Sequence, residues 1–123
     1  MPKAYIFYHG TDYNNKDKIL KEGLKVNREI NWLLPTLSIT ARPSVAKNYA
    51  RKVTQYGMTG EKATPRKPLV FKIKLYESDV KFGTSEESDK IRVENLKRAY
   101  KEKWYEYEIY KNIPPNRLSI YKG

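Results

Sequence analysis

One segment of the chain alternates between apolar and polar residues over most of its length. Residues 69–76 read LVFKIKLY, in which Phe71, Ile73 and Leu75 alternate with two lysines. A period of two is typical of a β-strand with one face on a hydrophobic core. The segment therefore predicts a strand and a fold that contains a sheet.

Further strand and helix signals occur in a mixed order along the chain. Strands are predicted over residues 3–8, 36–40, 104–110 and 117–121, and helices over residues 15–22, 43–52 and 86–102. Asn14 or Asn15 is placed to cap the first helix, and Gly23 to end it, with Leu24 packing back. The order of elements predicts an α+β fold with mainly antiparallel pairing.

Each predicted helix has an apolar face. The residues expected to face the core are Ile19 and Leu20 in the first helix, Val45, Ala46, Tyr49, Ala50 and Val53 in the second, and Ile91, Leu96, Ala99 and Tyr100 in the third. Thr84 and Glu87 have the spacing of a capping box before the third helix. Trp32 is a large anchor in a predicted loop, and residues 56–68 read as a mobile loop.

Length and composition predict one domain over residues 1–123. The absence of cysteine excludes disulfides and thiolate metal sites, and with one histidine we expect no metal centre. No apolar run approaches the roughly 20 residues that span a bilayer, and the N-terminus lacks a signal-peptide pattern. We therefore expect a cytoplasmic monomer without membrane contact (in the host cytoplasm, if the protein is viral or an effector).

Positive charge is concentrated in the middle of the chain. The formal net charge is +11, and residues 41–74 hold nine Lys or Arg and one acid, Glu61. Such a block attracts polyanions and anionic cofactors. A lysine-rich surface that only keeps the protein in solution is an equal alternative from composition alone.

Polar side chains interrupt three otherwise apolar strands. His9, the only histidine, and Gly10 follow the first predicted strand, and Ser38 lies within the second. Glu106 and Glu108 share one face of the strand over residues 104–110. Taken singly, such a histidine is often structural, and such a pair of carboxylates is often only a solvated strand face.

Three motifs in sequence order resemble those of the ADP-ribosyltransferase superfamily. They are YHGT followed by ILKEGL, LSIT-x5-A-x-x-YA, and EYEI-x3-IPP-x2-L. The resemblance covers nearly the whole chain and is to the histidine-containing branch, with diphtheria toxin and the PARP-like enzymes. It implies two small sheets that form a cleft for NAD, cleavage of the nicotinamide–ribose bond, and transfer of ADP-ribose to an acceptor, with NAD as a substrate and without a metal.

The first motif implies two ligand contacts. His9 matches the histidine that holds the ribose next to nicotinamide, and Gly10 matches the glycine whose backbone binds the nicotinamide amide. Thr11 completes the motif and is assigned with them to cofactor binding. A glycine lets a ligand approach the backbone, and a neutral imidazole can hydrogen-bond a hydroxyl.

The second motif implies aromatic stacking on nicotinamide. Tyr49, nine residues beyond Thr40, matches one of the two stacking tyrosines of the family. The other position falls on Ser38, which is similar to the arginine–serine–glutamate branch instead. Stacking is then one-sided, or Tyr13 or Tyr56 supplies the second ring. The resemblance assigns Ser38, Thr40 and Tyr49 to cofactor binding.

The third motif implies the catalytic carboxylate. Read as the Glu-x-Glu element, it makes Glu108 catalytic and Glu106 an auxiliary for the acceptor. Read against the Glu-Tyr pattern of the diphtheria toxin-like branch, the two roles reverse. A carboxylate beside the ribose stabilises the positive charge that develops there as the bond breaks.

The acceptor is left open by the sequence, because protein, DNA and RNA all fit. Candidates for the pyrophosphate of NAD are Arg28, Arg42, Arg51 and Lys52. The loop over residues 56–68, with Arg66 and Lys67, is placed to cover the cofactor or meet a nucleic acid acceptor. Residues 84–104 occupy the place of acceptor recognition in the family.

Two other functions remain open. RNA 2′-phosphotransferases, which also use NAD, share a histidine–glycine–threonine element and a similar first helix, but they need further phosphate-binding histidine and arginine residues. This chain has no second histidine. The other alternative is a non-enzymatic nucleic-acid-binding module with a basic face and exposed tyrosines.

Overall fold

The structure, a computed structural model, describes residues 3–26, 36–56 and 67–122, with only the backbone for residues 53–56. Its strands are β1 (Tyr5–Asp12), β2 (Leu37–Ile39), β3 (Pro68–Leu75), β4 (Tyr107–Ile109) and β5 (Leu118–Ile120). Its helices are α1 (Lys16–Glu22), α2 (Pro43–Tyr56), α3 (Glu77–Val80) and α4 (Glu86–Lys101). Trp32, Arg28, Arg66 and the side chain of Val53, named in the predictions above, lie outside this description.

The strands form two small antiparallel sheets. One sheet has three strands in the order β1-β3-β5, and the other pairs β2 with β4. Strands β1 and β3 pair over their full length, from Tyr5 opposite Leu75 to Asp12 opposite Pro68. The predicted α+β fold with antiparallel pairing is confirmed.

The main core lies on one face of the three-stranded sheet. Phe7, Phe71, Ile73 and Leu75 alternate along β1 and β3 and are fully buried. Helix α4 and the β2-β4 sheet close this core with the buried residues Val93, Leu96, Ala99, Leu37, Ile39, Tyr107 and Ile109. The alternation in residues 69–76 thus arises, as the sequence indicated, because its apolar residues face a hydrophobic core.

Helix α2 covers part of the opposite face of the same sheet. Ala46 and Ala50 pack on Val70 there. A Cβ added at Gly10 would come within 2.1 Å of the Ala46 carbonyl oxygen and 3.0 Å of the Ala50 nitrogen. Glycine at position 10 is therefore required by the close approach of a helix backbone.

The first strand is longer than its sequence predicted. His9, Gly10 and Thr11 do not follow β1 but lie within it, because β3 continues beside them to Pro68. Helix α2 also extends beyond residue 52, to Tyr56. The fourth strand is shorter than predicted, since its partner β2 has only three residues.

Helix faces and caps were predicted less well than the helices themselves. Leu20, Tyr49 and Ile91 are exposed rather than part of the core. Ser85, not Thr84, caps α4, and its hydroxyl accepts a hydrogen bond from the Ser88 amide. Ile19, Gly23 and Leu24 behave as predicted: Ile19 and Leu24 are buried, and Gly23 ends α1 with a φ of 83°.

Replacing Gly10 by alanine should destabilise the protein. The new methyl group meets helix backbone, which cannot turn aside as a side chain can, so we expect a loss of about 3 kcal/mol, at the upper end for overpacking. Urea denaturation of the wild type and the variant measures this loss in the free energy of unfolding. Gly83→Ala is the matched control, because nothing lies within 4 Å of a Cβ there and only the φ of 77° opposes it. It should cost about 1 kcal/mol. Equal losses would contradict the packing explanation.

Candidate functional site

A cavity of about 640 Å³ opens where β1, β2 and α2 meet. The described residues that line it are Tyr8, His9, Gly10, Lys25, Thr36, Leu37, Ser38, Ile39, Thr40, Val45, Ala46, Tyr49, Tyr105 and Glu106. Its size is in the range of pockets that enclose a nucleotide-sized ligand. Five of the predicted cofactor-binding residues, from three separate segments, are thus brought to one cavity.

Ser38 joins the histidine to a carboxylate. The carbonyl oxygen of Ser38 lies 3.1 Å from Nδ1 of His9. Its hydroxyl donates to Oε1 of Glu106 over 3.2 Å. One residue of β2 therefore positions two side chains that are 97 residues apart in the sequence, and both face the same cavity.

The hydrogen bond to Ser38 determines which nitrogen of His9 carries the proton. A carbonyl oxygen only accepts, so Nδ1 must donate. Burial lowers the pKa of His9 from its ordinary value, an effect larger than the opposing influence of the Ser38 carbonyl. The imidazole is then neutral near pH 7, and its Nε2 has a free lone pair that can accept a hydrogen bond from a ligand hydroxyl.

The backbone of Gly10 faces the same strand edge as that of Tyr8. In an antiparallel ladder, alternate residues turn both backbone groups to the same neighbour. Tyr8 exchanges its two hydrogen bonds with Thr40, on the side away from β3. Gly10, two residues on, must point its N–H and C=O to that side, where no described residue pairs with them. These groups are available to a ligand.

Two exposed tyrosines border the cavity. Tyr49 on α2 is 52% exposed and Tyr105, before β4, is 64% exposed. The guanidinium of Arg42 lies 4.3 Å from the ring centre of Tyr105 and holds that ring in place. Tyr105 was missed by the sequence analysis, which considered Tyr13 and Tyr56 instead. Tyr13 does not line the cavity, and the side chain of Tyr56 lies outside the described residues.

The two glutamates of the third motif occupy different positions. Glu106 lines the cavity and bonds Ser38. Glu108 lies opposite Ser38 in the β2-β4 register and is not among the lining residues, although both glutamates are exposed. The sequence predicted both glutamates on one strand face, and it could not show which of them lines the cavity.

The two threonines among the predicted cofactor-binding residues make hydrogen bonds to other residues of the protein. The Thr11 hydroxyl accepts a hydrogen bond from Asn15, and Thr11 is not among the lining residues of the cavity. The Thr40 hydroxyl donates to the Trp104 carbonyl and accepts from the Arg42 amide. Thr40 still lines the cavity, whereas Thr11 fixes the chain that leads into α1.

A second cavity, of about 550 Å³, shares Tyr8 with the first. Arg42, Lys72 and Lys103 line it. Of the predicted pyrophosphate ligands, Arg42 is thus in this second cavity. Arg51 and Lys52 are exposed on α2 and line neither cavity, and Arg28 lies outside the described residues. Lys25, which the sequence analysis did not consider, lines the first cavity and pairs with Glu22.

No protein-family model, curated protein or solved structure matches the chain. Within residues 3–26, 36–56 and 67–122, no helix combines the length and the apolar surface needed to cross a membrane. Over the same residues, no three His, Cys, Asp or Glu side chains lie together as a metal site requires.

We predict that His9 titrates below its ordinary pKa of 6.5 and carries its proton on Nδ1 when neutral. As the only histidine, it gives one unambiguous set of imidazole signals in a ¹H–¹⁵N NMR titration. The unfolded chain binds a proton more readily, so the free energy of unfolding should fall as the pH drops below about 6.5. Above that pH, His9 adds no pH dependence to the free energy of unfolding. A pKa at or above 6.5 would contradict the neutral, partly buried imidazole.

Proposed function

We propose that the protein is an NAD-dependent ADP-ribosyltransferase that cleaves the nicotinamide–ribose bond and transfers ADP-ribose to a macromolecular acceptor. The observation that carries the proposal is the chain of contacts from His9 through Ser38 to Glu106 on one cavity wall. It brings together the residues of three motifs that resemble that superfamily. The α+β fold with two small antiparallel sheets is compatible with the cleft that the resemblance implies.

The groups on the cavity wall fit a ribose and a carboxamide. Nε2 of neutral His9 accepts a hydrogen bond from a ribose hydroxyl, while Nδ1 stays bound to Ser38. The N–H and C=O of Gly10 offer one donor and one acceptor to the nicotinamide carboxamide, which needs both. The rings of Tyr49 and Tyr105 provide flat apolar surface for stacking on the pyridinium.

In this reaction the bond between ribose C1′ and the nicotinamide nitrogen breaks, and its electron pair leaves with neutral nicotinamide. A lone pair of the acceptor forms the new bond to C1′, and the proton of the acceptor passes to solvent. Positive charge develops on the sugar in between, as in glycoside hydrolysis. A fixed carboxylate beside the sugar stabilises that charge. We assign this role to Glu106, because it lines the cavity and Glu108 does not.

Replacing Glu106 by glutamine should reduce nicotinamide release from NAD by about 10²–10³-fold, the usual effect of losing one group that stabilises transition-state charge. The change removes the charge and keeps the shape, so NAD binding should survive. Release is measured by chromatography and binding by calorimetry. Glu108→Gln is the matched control, with the same chemical change on the same strand face, and it should lose less than tenfold.

The outcomes of this pair separate the alternatives. A large loss for Glu108→Gln alone would assign catalysis to the second glutamate, as in the Glu-x-Glu reading. Equal release by both variants and the wild type would remove support for the transferase. NAD-dependent loss of an internal 2′-phosphate from RNA would favour the phosphotransferase, and nucleic acid binding without NAD consumption would favour a non-enzymatic module.

His9→Ala should weaken NAD binding by about tenfold, the value of one hydrogen bond to a ligand. The side chain is only half-buried, so the melting temperature should change little. Thr11→Ala is the comparison variant in the same strand: it loses the bond to Asn15, away from the cavity, and should keep the affinity for NAD. A collapsed melting temperature with unchanged affinity for His9→Ala would indicate a purely structural histidine.

A further inference from the structure

Within the part of the chain that the structure describes, the second cavity is lined by three cations and by no carboxylate. Its described lining residues are Ile6, Tyr8, Ala41, Arg42, Pro43, Ser44, Lys72, Tyr100 and Lys103. Lys72 and Lys103 come from segments 31 residues apart and meet Arg42 there. Since like charges repel, three cations at one cavity are unfavourable without an anion. This convergence could not be predicted from the sequence, because the turn after α4 places Lys103 at the cavity.

Most of the cations of this cavity are positioned by contacts other than ion pairs. Nε of Arg42 donates to the Lys103 carbonyl over 2.7 Å, and its guanidinium lies on Tyr105. Nζ of Lys103 lies 4.4 Å from the ring centre of Tyr100. Among the described residues, no carboxylate pairs with Arg42, Lys72 or Lys103. Their charge is therefore available to a ligand.

The nearest acid in the sequence does not neutralise the cavity. Glu102 precedes Lys103, but its two oxygens accept hydrogen bonds from Trp104 and Arg98. These bonds lower the pKa of Glu102, the bond from Trp104 most, and keep the carboxylate directed to its own partners. The cavity thus keeps a net positive charge at neutral pH.

We propose that this cavity binds backbone phosphates of a single-stranded nucleic acid, and that this strand is the acceptor of ADP-ribose. The second half of the proposal depends on the transferase function proposed above. Tyr8 lines both cavities, and Thr40 and Ala41, adjacent in the chain, line one each. A strand whose phosphate lies among the cations thus has its neighbouring nucleotide at the entrance of the first cavity.

The aromatic side chains around the cavities favour a single strand over an acidic protein segment. Tyr8 and Tyr100 both line this cavity, and both are only partly buried. Exposed aromatic rings next to cations are the usual surface for unpaired bases, which stack on the rings while the phosphates meet the charges. Carboxylates of a protein would satisfy the cations but would not use the rings.

The test compares two charge-matched variants of the whole protein. Lys72→Gln/Lys103→Gln removes two cations from the cavity. Lys18→Gln/Lys21→Gln removes two exposed cations of α1 that line neither cavity. Binding of labelled single-stranded DNA and RNA 12-mers is followed by fluorescence anisotropy from about 50 to 200 mM salt. Nicotinamide release from NAD without nucleic acid, NAD affinity, and the mass of each oligonucleotide after incubation with NAD are measured in parallel.

The cavity variant should bind at least one polymer more weakly, and the slope of log affinity against log salt should fall by about 1.4, or about 0.7 per lost phosphate contact. The α1 variant should keep the wild-type slope, and Lys72→Arg/Lys103→Arg should restore binding. The oligonucleotide that binds should gain one ADP-ribose with the wild type and less with the cavity variant. NAD affinity and nicotinamide release without nucleic acid should stay unchanged. The comparison of DNA with RNA identifies the acceptor polymer.

Three results would overturn the inference. Equal slope changes in both variants would mean diffuse attraction to a basic protein, without a site. A loss of NAD affinity in the cavity variant would mean that the cations bind the pyrophosphate of NAD. If the wild-type protein releases nicotinamide from NAD but binds neither polymer, the acceptor of ADP-ribose is not a nucleic acid. In contrast, site-specific binding without any nicotinamide release would refute the transferase and leave the phosphate site standing.

Discussion

Two backbone hydrogen bonds between Tyr8 and Thr40 join the two sheets. The Tyr8 amide donates to the Thr40 carbonyl over 2.7 Å, and the Thr40 amide donates back over 3.0 Å. Because β1 and β2 belong to different sheets, this pair sets the distance between them. It brings His9 within hydrogen-bond reach of Ser38 and turns the backbone of Gly10 toward the cavity. Tyr8 also lines both cavities, so this one contact between the sheets affects the geometry of both.

The structure constrains Gly10 in two ways, from above the sheet and along the edge of its strand. Above the sheet, the backbone of α2 at Ala46 and Ala50 leaves no room for a Cβ. Along the sheet, its N–H and C=O point to the edge shared with Tyr8. The glycine is therefore explained by packing alone and is not by itself evidence of a ligand. The backbone groups at the strand edge, and not the missing side chain, are the features that support ligand binding.

Local patterns predicted the elements of this fold well, and they predicted their lengths and the site less well. The alternation around Phe71 and the cap at Gly23 act within a few residues, so the sequence reveals them directly. The extension of β1 through His9 depends on pairing with β3, which is about 60 residues away. The preference for Glu106 over Glu108, and the position of Tyr105, depend on where β4 begins, which its distant partner β2 decides.

Among the described residues, Glu106 forms no ion pair with the cations of the second cavity. Glu106 receives its hydrogen bond from a neutral hydroxyl, that of Ser38, and Arg42 is held by a carbonyl and a ring. Had Glu106 and one of the cations formed an ion pair, each would have screened the other. As they stand, the carboxylate can stabilise positive charge on a sugar while the cations bind phosphate close by. The proposed reaction needs a negative charge beside the sugar and positive charge beside the phosphate at the same time, and the two cavities that share Tyr8 provide them.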